Sequence, residues 1–115
     1  MKRNGLVILV VALVLALALP LSAETWKDVA LMDAGCAAKP DKLADPDAHP
    51  RSCALQCAKS GYGAVVEGKF VKFDAKGSDL AKDALTKSEK KDHLRATVTG
   101  ELKDGVINVT SLTLQ

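Results

Sequence analysis

The sequence predicts a small, mainly β domain of the α+β class. The expected architecture is a five-stranded antiparallel OB-like barrel, with a Cys-bearing helical insertion between strands 1 and 2 and a helix between strands 3 and 4. Three observations predict it. Five segments rich in alternating or β-branched apolar residues follow Ala23. An amphipathic helical pattern over residues 78–92 separates the third from the fourth. A Pro- and Asp-rich run with a second helical pattern, together carrying all three cysteines, separates the first from the second. The main alternative is a simpler α+β fold, an antiparallel sheet with two packing helices.

The chain opens on "MKRNG", in which Lys2 and Arg3 form a basic start, and continues with fourteen apolar residues from Leu6 to Leu19 before Pro20. That layout is a secretory signal peptide over residues 1–23, cleaved near Ala23. The apolar run falls short of the roughly 20 residues of a membrane span, so an uncleaved anchor is the lesser reading. No cysteine adjoins the cut, which argues against a lipoprotein. Residues 24–115 then form a single OB-like domain in the periplasm or outside the cell, with no transmembrane segment. Removing Lys2 and Arg3 balances basic and acidic residues at 14 each. A near-neutral chain with only Trp26, Tyr62, Phe70 and Phe73 as aromatics offers neither the charge nor the stacking surface for nucleic acid.

The first strand is expected over residues 25–33, with imperfect alternation among Trp26, Val29 and Leu31. "AGCAAKPDKLADPDAHP" reads as loop, because Gly35, Pro40, Pro46 and Pro50 interrupt any period. A helix follows over residues 50–60, with Pro50 in its first turn and Gly61 as its stop. Cys53, Ala54, Cys57 and Ala58 share one face of it, since a spacing of four returns close to the same side. "GAVVEGKFVKFD" is a β-hairpin turning at Glu67-Gly68. Residues 74–77 form a turn, and the next helix, capped by Ser78 or Asp79, buries Leu80, Ala81, Ala84 and Leu85. Lys87, Lys90 and Lys91 near its end complement the helix dipole. Two strands joined by "KDG" close the chain. The apolar phase changes between Val109 and Leu112, which predicts a bulge.

"DAGC" (Asp33–Cys36), "HPRSCALQC" (His49–Cys57), the Gly-led hairpin and "TVTGELKDGVINVTSL" resemble a family of small exported bacterial proteins of unknown function. Its members carry Asp-x-x-Cys, then His-x-x-x-Cys-x-x-x-Cys, ahead of an OB-like β domain. Where that family often has Gly-Trp before the Asp and Gly after the first Cys, this chain has Val29 to Met32 and Ala37. The resemblance implies the fold and export, and implies no activity.

The cysteines carry the candidate chemistry. Cys36, His49, Cys53 and Cys57 form the Cys3His ligand set of a closed zinc site, and soft thiolates also suit Cu(I). Asp33 can replace His49 as an oxygen ligand. The competing reading is a disulfide of Cys36 with Cys53 or Cys57, which an exported chain meets conditions to form. Three cysteines then leave an odd thiol, buried or free for an intermolecular disulfide. Thiol–disulfide catalysis is the third option, weakened by a Cys-x-x-x-Cys spacing away from a helix start. His49 and Cys53 on adjacent turns make a poor Cys-His hydrolase. His93 reads as a surface residue, and Asp45 and Asp47 as a solvated loop. With no nucleophile elbow, phosphate loop or paired-carboxylate motif, the expectation is a non-enzymatic binding or accessory module of unknown ligand and partner, its helical insertion stabilised by the disulfide, with a Cys3His zinc or copper site as the alternative.

Overall fold

The computed structural model describes residues 23–115, and apart from Ala23 the expected signal peptide lies outside them. Five strands form one mixed sheet: β1 (Glu24–Asp33), β2 (Tyr62–Val66), β3 (Lys69–Phe73), β4 (Arg95–Lys103) and β5 (Val106–Leu114). The sheet closes into a ring in the order β1-β2-β3-β5-β4, with β4 pairing back onto β1. The result is a small β-rich α+β fold.

The all-antiparallel expectation is corrected. β3 and β5 pair in parallel through Lys72 with Val106 and Phe73 with Ile107, while the other four contacts are antiparallel. The reason is parity. Directions cannot alternate all the way round a ring with an odd number of strands, so a closed ring of five requires at least one parallel pair.

Strand phases follow the apolar pattern. Trp26 opposes Val98 and Val29 opposes Ala96, so β1 holds one extra residue between them. Asp28 there takes a positive φ of 55°. This bulge lets Trp26 and then Val29 and Leu31 serve the same interior despite the broken alternation. In β5, Ser111 opposes Thr99 and Val109 opposes Gly100, which leaves Thr110 as the bulge. Both hairpins turn on two residues of positive φ, Glu67-Gly68 and Asp104-Gly105, whose twist matches that of the flanking strands.

The run expected to be loop contains helical turns: α1 (Ala34–Ala37), α2 (Pro40–Ala44) and a 3₁₀ turn (Pro46–Ala48). Pro40 and Pro46 each open their turn, where a missing N–H is harmless. The Cys-bearing helix α3 spans Arg51–Gln56, shorter than expected. Pro50 stands at its N-cap. Cys57 leaves helical geometry, and a 3₁₀ turn (Ala58–Ser60) completes the segment before Gly61. The insertion packs against β1. Ala30 and Met32 are therefore buried although they face away from Leu31 and the interior.

The second expected helix, α4 (Ala75–Lys87), begins one turn early and ends before Lys90 and Lys91. Asp74 is the cap: its Oδ1 accepts from Gly77 N at 2.9 Å and from Val109 N at 3.2 Å. One carboxylate thus starts the helix and ties it to β5. Gly77, Ala81 and Leu85 form the buried stripe. A Cβ on Gly77 would stand 2.5 Å from Val109 Cγ2, so a residue without a side chain is what lets α4 approach the sheet. The interior beneath is filled by Leu31, Tyr62, Phe73, Leu94, Val98 and Ile107.

Candidate functional site

The site lies where β1 ends and the insertion begins. Asp33, the last residue of β1, is fully buried. Its Oδ2 accepts the Cys36 backbone N–H at 2.8 Å, which caps α1. Its Oδ1 lies 2.7 Å from His49 Nε2, and both side chains are buried. A buried carboxylate needs such partners, because desolvation otherwise costs it several kcal/mol.

The two cysteine-bearing segments are fastened to each other independently of sulfur. Ala34 N donates to Gly61 O at 2.9 Å. Ser60 Oγ accepts from Gly35 N at 3.0 Å and donates to Cys57 O at 2.7 Å. The Cys36 turn and the Cys57 turn are thereby held side by side. The donor atoms of Asp33, Cys36 and Cys57 all lie within 4.8 Å of one another.

Of the four residues expected to form a Cys3His set, Cys36 and Cys57 are brought together. His49 stands behind Asp33, bonded to its carboxylate. Cys53, half-buried on α3, is outside the group. The helical-face argument placed Cys53 beside Cys57. Cys57, at the C-cap and still bonded to Cys53 O, is the one beside the Cys36 turn, where Ser60 bridges Gly35 to Cys57. No two cysteines stand at disulfide distance, and all three are free thiols. Ser60 carried no signal in the sequence, since a serine before a glycine reads as ordinary loop. Asp33 carried one, its place in Asp-x-x-Cys.

The electrostatics are those of a partly dehydrated, negatively biased cluster. Burial pushes the Cys36 thiol up from its ordinary value; the Asp33 charge and hydrogen bond and the nearby Cys57 act the same way, against Lys39. Burial likewise raises the Tyr62 hydroxyl, with Asp33 and Cys57 adding to it. The Tyr62 O–H donates to Ala54 O at 2.7 Å, which ties the ring interior to α3.

A second feature lies apart from this cluster. An open groove of about 570 Å³ runs between β1, the β2–β3 turn and α2, lined in part by Trp26, Leu43, Val66 and Arg95. Arg95 is itself anchored on Asp47 by two hydrogen bonds of 3.0 and 2.8 Å. None of Asp33, Cys36, His49, Cys53 or Cys57 lines this groove. Among the described residues no helix is long and apolar enough to cross a membrane. No family model, curated protein or solved structure matches the chain.

Proposed function

We propose that the chain is a small exported, non-enzymatic binding or accessory module: an OB-like β domain whose insertion is fastened, in an oxidising compartment, by a Cys36–Cys57 disulfide. The observation that carries this reading is the convergence of those two thiols, within 4.8 Å, on segments already locked together by Ser60 and by the Ala34–Gly61 hydrogen bond. A disulfide requires the two sulfurs to close to about 2.05 Å. The N-terminal layout supports export, and export supplies the oxidant. The ring of five strands, with a helix between the third and fourth, supports the OB-like reading.

Cys53 is then the odd thiol, open to intermolecular pairing. The groove beside Trp26 and Arg95 is the surface offered to a ligand. The non-catalytic reading rests on the sequence, in which no nucleophile elbow, phosphate loop or paired-carboxylate motif is found. Metal binding, by zinc or copper, is the second reading, favoured by Asp33 as a third donor beside the two thiols.

Mass spectrometry of the exported protein, alkylated before proteolysis, tests the first reading. The expected result is a chain beginning at Glu24, a peptide pair linked through Cys36 and Cys57, and an alkylated Cys53. Three alkylated thiols under non-reducing conditions would overturn it.

A further inference from the structure

We propose that in the reduced protein Asp33, Cys36 and Cys57 bind one Zn(II), with His49 backing the Asp33 carboxylate and the fourth position left open to an outside ligand. This goes beyond the accessory-module reading and does not rest on it, because a Cys36–Cys57 disulfide removes both thiolates.

Geometry comes first. Tetrahedral zinc with Zn–S of about 2.3 Å and Zn–O of about 2.0–2.2 Å places its donors about 3.5–3.8 Å apart. The three donor atoms already lie within 4.8 Å of one another, so closure needs roughly 1 Å of side-chain movement. Their backbones are pre-positioned by the Asp33 cap on Cys36 and by Ser60, which bridges Gly35 to Cys57. Asp33 has acceptor capacity to spare. A carboxylate offers about four lone-pair sites, and Cys36 N and His49 Nε2 take two of them. A ligating carboxylate held from behind by a buried imidazole is the kind of outer support that fixes a ligand's orientation.

Donor chemistry selects the metal. A carboxylate oxygen beside two thiolates suits borderline Zn(II) better than soft Cu(I). Three protein ligands leave the fourth tetrahedral position open, unlike the closed four-ligand sites that serve only structure.

The test uses the exported protein, reduced and stripped of metal, titrated with Zn(II) against a chromophoric chelator. One equivalent should bind to the wild type and to Cys53→Ser alike. Cys36→Ser and Cys57→Ser should each weaken binding about 100-fold or more, and His49→Gln about 10–100-fold. X-ray absorption on the zinc-loaded wild type should give two sulfur neighbours and the remainder oxygen or nitrogen. That measurement decides the ligand set even if a variant fails to fold. A three-sulfur shell, loss of binding in Cys53→Ser, unchanged binding in Cys36→Ser, preference for Cu(I), or no zinc retained by the folded reduced wild type would each overturn the proposal. The oxidised protein separates the two readings, because it should show the Cys36–Cys57 cross-link and take up no zinc at this site.

Discussion

If the oxidised protein carries the proposed Cys36–Cys57 disulfide, breaking it should be felt through the unfolded chain more than through any contact in the folded one. Counted with both ends, the loop it closes is 22 residues long. The chain-entropy relation for a loop of that size gives about 3.4 kcal/mol at 25 °C. A domain of this size shifts its Tm by roughly 4–8 °C per kcal/mol, so Cys36→Ser should melt about 14–27 °C below the oxidised wild type. Magnitude alone does not identify the partner. A Cys36–Cys53 link would close 18 residues and stabilise by only about 0.2 kcal/mol less. The pattern across variants decides instead. Thermal or urea unfolding of the oxidised protein should show Cys36→Ser and Cys57→Ser equally destabilised, with Cys53→Ser close to wild type. Reductant should lower the wild type to the level of the two destabilised variants and leave those two unmoved. A wild-type Tm indifferent to reductant, or Cys53→Ser melting with Cys36→Ser, would refute the reasoning.

Three further outcomes follow from the packing. Gly77→Ala places a methyl 2.5 Å from Val109 Cγ2 and 2.8 Å from Phe73 Cβ. Overpacking of about 1–3 kcal/mol should outweigh the helix-propensity gain of about 1 kcal/mol, so urea unfolding should show a net loss, and a stabilised variant would contradict the close approach of α4. Tyr62→Phe removes the buried hydrogen bond to Ala54 O and should lower stability by about 1–2 kcal/mol. Its hydrogen-exchange signature should be faster exchange in α3. The Arg95 guanidinium holds the Asp47 carboxyl below its ordinary value, first through its hydrogen bonds and then its charge. A depressed carboxylate stabilises above the ordinary value of 3.8 and loses that contribution as pH falls through the folded value. The stability gap between wild type and Arg95→Gln, up to about 1 kcal/mol at neutral pH, should therefore close in acid unfolding series below about pH 4. A gap that widened there would reverse the sign.

Much of the ring is legible in the residue order. Alternation marks β4 from Arg95 onward, and the break in phase after Val109 falls at the Thr110 bulge. Glu67-Gly68 and Asp104-Gly105 name their own turns. The start of α4 is less legible, because "DAKGSD" offers several capping residues. Asp74 is chosen because its carboxylate can also reach Val109 N on a strand far along the chain. The short turns of the insertion are not legible at all. A four- or five-residue helix does not repay its own nucleation. Those turns exist because Asp33 caps one of them and Ala34 and Gly35 are held by Gly61 and Ser60.

The sequence by itself determined the strand-forming segments, the hairpin turns, the amphipathic stripe of α4 and the residue types of the site, because each is written in local periodicity or side-chain chemistry. Only the tertiary structure decided the parallel β3–β5 closure, the choice of Cys57 over Cys53 beside Cys36, and the burial of Asp33 against His49. Those are long-range outcomes. Helical spacing treats Cys53 and Cys57 as equivalent. What separates them is that only the C-terminal end of the segment, from Cys57 to Gly61, is held against α1, by hydrogen bonds to residues more than twenty positions away.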